Sequence, residues 1–351
     1  MRGDIPSFRN RPQTDIGYPW AFFNSRPGLV AGRATTESKT MRILLLGSIA
    51  YDNIMVFEGR FREHILPDQI HMLNVAFLVP ALRREFGGCA ANIAYNLRLL
   101  GGEPLIMATV GEDAESYYRR LDALGIARTH VREVAGTYTA QAFITTDLDD
   151  NQITAFHPGA MGHSHLNSVS AAGDVGLAIV SPDGREGMLQ HARELKQQGI
   201  PFVFDPGQGL PMFSGAELLD FVRLSSYVAV NSYEGKMLEE RTGESIANLA
   251  KRVQALIVTH GSAGSEIHAA GQRLEIPCIK VDTIVDPTGC GDAYRAGLLY
   301  GIAEGMDWRS TGQLASLMGA LKVGARGGQN HHATRAEIEA LYRRHFNAQL
   351  G

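Results

Sequence analysis

From Met41 onward the chain alternates short, largely apolar runs with stretches of helical periodicity, and no other feature restricts its folding as much. The runs at 42–47, 104–110, 177–181, 201–205, 227–230 and 255–260 read as strands. Helical stretches near 88–100, 114–124, 186–198, 214–224 and 232–242 lie between them, and the last third is mainly helical, near 291–304, 309–325 and 334–346. A strand that is apolar at every position must be covered on both faces, whereas a half-exposed strand alternates. The pattern predicts an α/β fold: a doubly wound, mostly parallel sheet with helices on both faces.

Two stretches break the rhythm. Residues 53–82 carry irregular apolar positions with little helical signal, and 137–157 read as strand, turn, strand around Asp149, Asp150 and Asn151. Both are expected to leave the main sheet as a small β lid, over 53–82 and 137–158, with the core in 41–52, 83–136 and 159–347. Residues 1–40 hold Pro6, Pro12, Pro19, Pro27 and five arginines without apolar periodicity or an apolar secretory core. They read as a loose N-terminal extension.

Charge and motif absences narrow the function. A formal net charge of −4 argues against nucleic acid or an anionic membrane as the main partner. No apolar run is long enough to span a bilayer. Three cysteines without a CxxC pair fit a reducing compartment, the cytoplasm, and offer no zinc framework. No GxGxxG follows the first strand and no GxxxxGK[ST] loop exists, which disfavours a nicotinamide oxidoreductase and a P-loop kinase.

The strongest chemical signal is Asp286-Pro287-Thr288-Gly289-Cys290-Gly291-Asp292 at the start of a helix. Gly289 and Gly291 let the backbone turn and present successive N–H groups at the positive end of the helix dipole, which suits a transferring phosphoryl group. A carboxylate at the mouth of that site, Asp292, can take a hydroxyl proton as phosphorus is attacked. An ordinary helix cap would also account for Asp292. Asn231 and Glu234, three apart at another helix start, can face hydrated Mg²⁺ and nucleotide phosphates, and also read as a capping box. The glycines of Thr259-His260-Gly261-Ser262-Ala263-Gly264 allow close approach to a flat ligand or mark a simple turn. Ser48 and Asp52 follow the first strand, and Gly87-Gly88 opens a helix that carries Asn92. Asp52 and Asn92 can grip a vicinal diol, or serve as a turn residue and a helix-start residue.

Gly87-Gly88…Asn92, Asn231-x-x-Glu234 and the 286–292 motif stand in the order and spacing of the ribokinase-like, or PfkB, family of carbohydrate and nucleoside kinases, which the chain resembles from Met41 to its last helix. Cys290 replaces the family's usual Ala without changing its N–H. Segments 47–52, 59–61, 66–68, 149–156, 157–161, 205–208 and 292–297 look most like bacterial and archaeal adenosine and nucleoside kinases. The resemblance implies ATP as donor, Mg²⁺, and a purine nucleoside acceptor phosphorylated at its 5′-hydroxyl. It also implies roles. Asp292 would be the base, and Gly289, Cys290 and Gly291 the anion hole. Asp52, Gly88 and Asn92 would hold ribose hydroxyls, with Ser48 and Gln208 also at the nucleoside and Phe156 against the base. Asn231, Thr259, Gly261 and Gly264 would border ATP, and Glu234 would order the Mg²⁺ water shell. Asp286 with carbonyls beyond Gly324 would form a monovalent-cation (K⁺) site. The exposed face of the lid is a surface through which two subunits can pair. A sugar kinase of the ribose or fructose type would use the same diol grip; a non-catalytic binder on this fold would not need Asp292. A chain beginning at Met41 is expected to fold and keep its activity, which a melting curve and an ATP-consumption assay on the shortened protein check.

Overall fold

In the first apolar run Ile43 and Leu45 join the core on one side of a sheet, and Leu44 and Leu46 join a separate core on the other. That division repeats along the sheet and makes it doubly wound. The computed structural model describes residues 41–65, 74–149 and 151–350; the expected extension at 1–40 and the segment 66–68 lie outside them. In chain order the elements are β1 (Arg42–Leu46), β2 (Ala50–Val56), α1 (Phe61–His64), β3 (Ala81–Gly87), α2 (Cys89–Leu99), β4 (Glu103–Val110), α3 (Glu115–Ala123), β5 (Ala127–Glu133), β6 (Ala140–Thr146) and β7 (Gln152–His157). The chain continues through β8 (Leu177–Val180), α4 (Arg185–Gln197), β9 (Phe202–Phe204), α5 (Gly215–Leu224), β10 (Tyr227–Asn231), α6 (Ser232–Thr242), α7 (Ile246–Ala250), β11 (Ala255–Thr259), β12 (Ser265–Ala269) and β13 (Gln272–Ile276). Three helices close it: α8 (Cys290–Ala303), α9 (Trp308–Val323) and α10 (Arg335–Phe346).

Nine strands form the main sheet in the order β13-β12-β11-β10-β9-β8-β1-β4-β5. Its members from β11 to β5 run parallel, and β12 and β13 add an antiparallel edge hairpin. One face buries Ile93 and Leu97 of α2, Leu298 and Leu299 of α8, Met318 of α9 and Tyr342 of α10. The other buries Met188 and Leu195 of α4, Phe221 of α5 and Leu238 of α6. Among the described residues, no helix is long and apolar enough to cross a membrane.

A second sheet, β3-β2-β6-β7, draws on the two interrupted stretches and also takes in Ala50–Asp52 and 83–87, which the sequence pattern assigns to the core. The chain stays extended after β1 instead of entering a helix, so β2 starts at Ala50 and Asp52 lies within the second sheet. β3 leads back through Gly87 and Gly88 into α2. This return constrains Gly88 severely. Its φ is +89°, and a Cβ there would sit 2.6 Å from both the Ala50 nitrogen and the Ser48 oxygen. Gly88→Ala is expected to cost about 2 kcal/mol or more, from strain plus the clash. Gly101, at φ +81° with open space around it, isolates the backbone part of that cost. Thermal melts of Gly88→Ala and Gly101→Ala should show the larger loss at Gly88.

Candidate active site

The start of α8 leaves backbone donors free. Gly289 is the N-cap in a left-handed conformation, φ +77°. The Cys290 N–H donates to the Pro287 carbonyl at 3.1 Å. The N–H groups of Gly289, Gly291 and Asp292 meet no protein acceptor among the described residues. Of the N–H groups expected at the phosphoryl group, that of Cys290 is engaged in closing the turn.

Asp292 is not the cap of this helix. It lies one turn inside, at the third helical position, and its Oδ2 accepts from Asn92 Nδ2 at 2.9 Å. Asn92 Oδ1 accepts from Gln329 Nε2 at 3.0 Å, and the same Gln329 amide donates to the Tyr117 hydroxyl at 2.9 Å. Tyr117 in turn donates to the Gly87 carbonyl at 2.5 Å. A continuous chain of hydrogen bonds therefore runs from the carboxylate to the glycine pair that enters the second sheet. Gly328 closes over it, since a Cβ there would sit 2.5 Å from Asn92 Oδ1. Gln329 and Tyr117 were not legible as site residues; the only hint was a polar pair after the glycines of 324–328.

Burial raises the Asp292 pKa to about 7; the nearby Asp205 adds to the rise, against the Asn92 hydrogen bond and Arg295. Asp205 follows β9 and takes two hydrogen bonds from Arg295 of α8, at 3.1 and 3.0 Å, in a buried pair. Burial likewise lifts Asp52 to about 6, helped by Asp286 and Glu85. No donor bonds the Asp52 carboxylate among the described residues, and it lies against Gly87, where a Cβ would come within 2.5 Å.

The other expected residues fall into separate groups. Ser48 accepts from Cys89 N–H at 3.1 Å, helping to start α2. Asn231 and Glu234 form a complete capping box: Asn231 Oδ1 accepts from the Tyr233 and Glu234 N–H groups, and Glu234 accepts from the Asn231 backbone and amide, both at 2.7 Å. Glu234 is buried, which raises its pKa. Gln208 shares with Asn231, Tyr233, Glu234 and Met237 a cavity of about 290 Å³. That groups it with the residues expected at nucleotide and metal. Thr259 ends β11, and Gly261 follows at φ +58°. Gly264 has a structural requirement of its own, because a Cβ would meet the Ile276 oxygen at 2.2 Å. Phe156 is half exposed on β7. Asp52 pairs with Ala142, and Ala142 with Phe156, so Asp52 and Phe156 share one face of the second sheet, two strands or about 10 Å apart. A larger cavity, about 450 Å³, lies along α4 between His165, Glu186 and Arg193 and contains none of these groups.

Residues 52–335 match the family described as pfkB family carbohydrate kinase. The chain belongs to that family. This pfkB-family kinase is 33% identical over 314 residues to a nucleoside kinase of Methanocaldococcus jannaschii, covering 88% of this chain and 98% of the relative. It is similar to a Burkholderia thailandensis nucleoside kinase solved in complex with inosine, at 56% identity and TM-score 0.81, over 88% of this chain and 99% of that one. A complex of the Burkholderia protein described as ADP-inosine matches at 57% identity and TM-score 0.78, over 88% of this chain and 97% of that one.

The raised Asp292 pKa has a consequence for folding. A proton on Asp292 favours the folded state; that stability is fully present below the ordinary value of 3.8 and is lost as pH rises through about 7. Asp292→Asn keeps an acceptor for the Asn92 amide. It is expected to raise the melting temperature at about pH 8, with the gain shrinking as pH is lowered; melts across that range check this.

Proposed function

We propose that this kinase transfers the γ-phosphoryl group of ATP to the 5′-hydroxyl of a purine nucleoside, giving a nucleoside 5′-monophosphate and ADP. The observation that carries the chemistry is Asp292: a carboxylate poised near neutrality beside three N–H groups that meet no acceptor among the described residues. A general base works best with a pKa near the working pH. The Asp292 carboxylate accepts the 5′-hydroxyl proton as that oxygen bonds to the γ-phosphorus and the bond to the β-phosphate oxygen breaks. The N–H groups of Gly289, Gly291 and Asp292 receive the charge on the phosphoryl oxygens.

Asp52, with no donor on its carboxylate among the described residues, is assigned to the ribose hydroxyls. Asn92 donates one amide hydrogen to Asp292 and keeps the other for the sugar. Phe156, about 10 Å away on the same sheet face, is assigned to the base. That separation suits a ribose joined to a flat base better than a lone sugar, and the nucleoside kinases reported above support the same choice. Gly88, Ser48 and the second sheet would enclose the nucleoside, the sheet acting as a lid that keeps water from the γ-phosphoryl group.

Each Glu234 oxygen accepts one hydrogen bond and retains a lone pair, which fits a contact to Mg²⁺ through water better than direct ligation. When bound with the nucleotide, Mg²⁺ would supply charge neutralisation at the phosphates, with Glu234 holding its water shell. Asn231, Thr259 and Gly261 are assigned to the border of the ATP site, with Gln208 beside Asn231.

An ATP-consumption screen over adenosine, inosine, guanosine, cytidine, ribose and fructose tests the reading. Purine nucleosides are expected to turn over, with ribose and fructose far behind; a sugar as best acceptor would overturn the assignment. With the best nucleoside, Asp292→Asn should lower turnover roughly 10²-fold or more. Wild-type kcat/KM should rise with pH through about 7, because only the ionised carboxylate takes the proton.

A further inference from the structure

Lys322, on the last turn of α9, is wholly buried. A lysine is almost never enclosed unless its ammonium is satisfied. Here Nζ donates to the Asp286 carbonyl at 2.7 Å and to the Ala325 carbonyl at 2.9 Å. Burial lowers its pKa, while Asp286, Cys290 and Asp292 nearby favour the charged form.

The surrounding backbone is tied to the same point. The Asp286 carboxylate accepts from Thr288 N–H at 2.8 Å and from Gly327 N–H at 2.8 Å. The Val323 carbonyl accepts from the N–H groups of Val285 and Asp286, at 2.9 and 3.2 Å. The strand of chain that delivers Gly289 to the start of α8 is thereby stitched to the turn after α9, with an ammonium group at the seam.

These oxygens, from Asp286 and from the chain beyond Gly324, are the set expected to hold a monovalent cation. They do not fit that role here, because the Asp286 and Ala325 carbonyls are already turned onto Lys322. We propose that the Lys322 ammonium is a built-in replacement for the monovalent cation, holding the 286–289 loop so that the N–H groups at the head of α8 face the phosphoryl group. Lys322 is a positioning residue: it touches neither reactant and acts through the loop. The inference rests on the phosphoryl-transfer reading above for its catalytic consequence, but its structural part can be read without turnover.

The test compares the full-length wild type with Lys322→Ala and Lys322→Met. Each is assayed in a buffer whose only cation besides Mg²⁺ is tetramethylammonium, then titrated with K⁺, Na⁺, NH₄⁺ or methylammonium at constant ionic strength. Wild-type kcat and melting temperature should stay flat across all salts. Lys322→Ala vacates the space of the side chain, and its kcat should drop by about 10²-fold, the scale of misplacing a reactive group by an ångström. K⁺, NH₄⁺ or methylammonium should restore at least a tenth of the loss and raise the melting temperature of Lys322→Ala. Lys322→Met fills the space without charge and should be rescued by none of them. The melting shift is independent of the substrate, so it stands even if no nucleoside proves to be the acceptor. Activation of the wild type by K⁺, full activity of Lys322→Ala in tetramethylammonium, or a folded Lys322→Ala that no cation restores would each overturn the proposal. Should both variants fail to fold, the wild-type salt titration decides it alone.

Discussion

The hydrogen bond from the Asn92 amide to the Asp292 carboxylate joins two helix starts 200 residues apart in sequence. α2 and α8 pack side by side on one face of the main sheet, so their N-termini open on the same edge. In an open α/β sheet that edge, beyond the carboxyl ends of the strands, is where ligands bind. The bond orients the carboxylate. It also ties Asp292 through Gln329 and Tyr117 to the Gly87 carbonyl, where the chain leaves the second sheet. A continuous path of hydrogen bonds thus links that sheet to the Asp292 carboxylate.

The electrostatic balance around Asp292 follows from crowding charges where water is scarce. Asp205 and Arg295 neutralise one another through a two-bond contact, and Glu234 and Asp292 border that pair. Arg295 lies on the same helix as Asp292, one turn on, so folding α8 brings this carboxylate and a counter-charge together. Without Arg295 the carboxyl would be driven further toward its neutral form, which cannot accept a proton. Desolvation and Asp205 push the pKa up, the Asn92 hydrogen bond and the guanidinium hold it down, and the result near neutrality is their balance.

Glycine has two distinct uses at this site. Gly88 and Gly289 adopt backbone conformations that side chains rarely enter, and each opens a helix whose first residues reach the cleft. Gly87 and Gly328 need no unusual φ but leave room for functional oxygens, those of Asp52 and Asn92. A methyl group at either place would displace the side chain beside it.

The strand–helix alternation was legible because continuous apolar runs such as 43–46 and 177–180 can only be buried on both faces, and the helix limits follow from the same periodicity. The 286–292 motif was legible because glycine spacing and a carboxylate at a helix start are local facts. Polar edge strands escaped: β5 reads Ala-Arg-Thr-His-Val-Arg-Glu, and β12 and β13 mix charged with apolar positions, so no apolar run announced them. Which N–H groups stay free, that Gln329 and Tyr117 support Asn92, that Gln208 sits beside Asn231, and that Lys322 takes the carbonyls expected for an ion were all decided by tertiary structure. Sequence periodicity reports which way a side chain faces relative to its own element. Hydrogen-bond partners and pKa values depend on what other elements bring to the same few ångströms, and for Asp292 and Lys322 those elements are α2, α9 and the turn at 324–329.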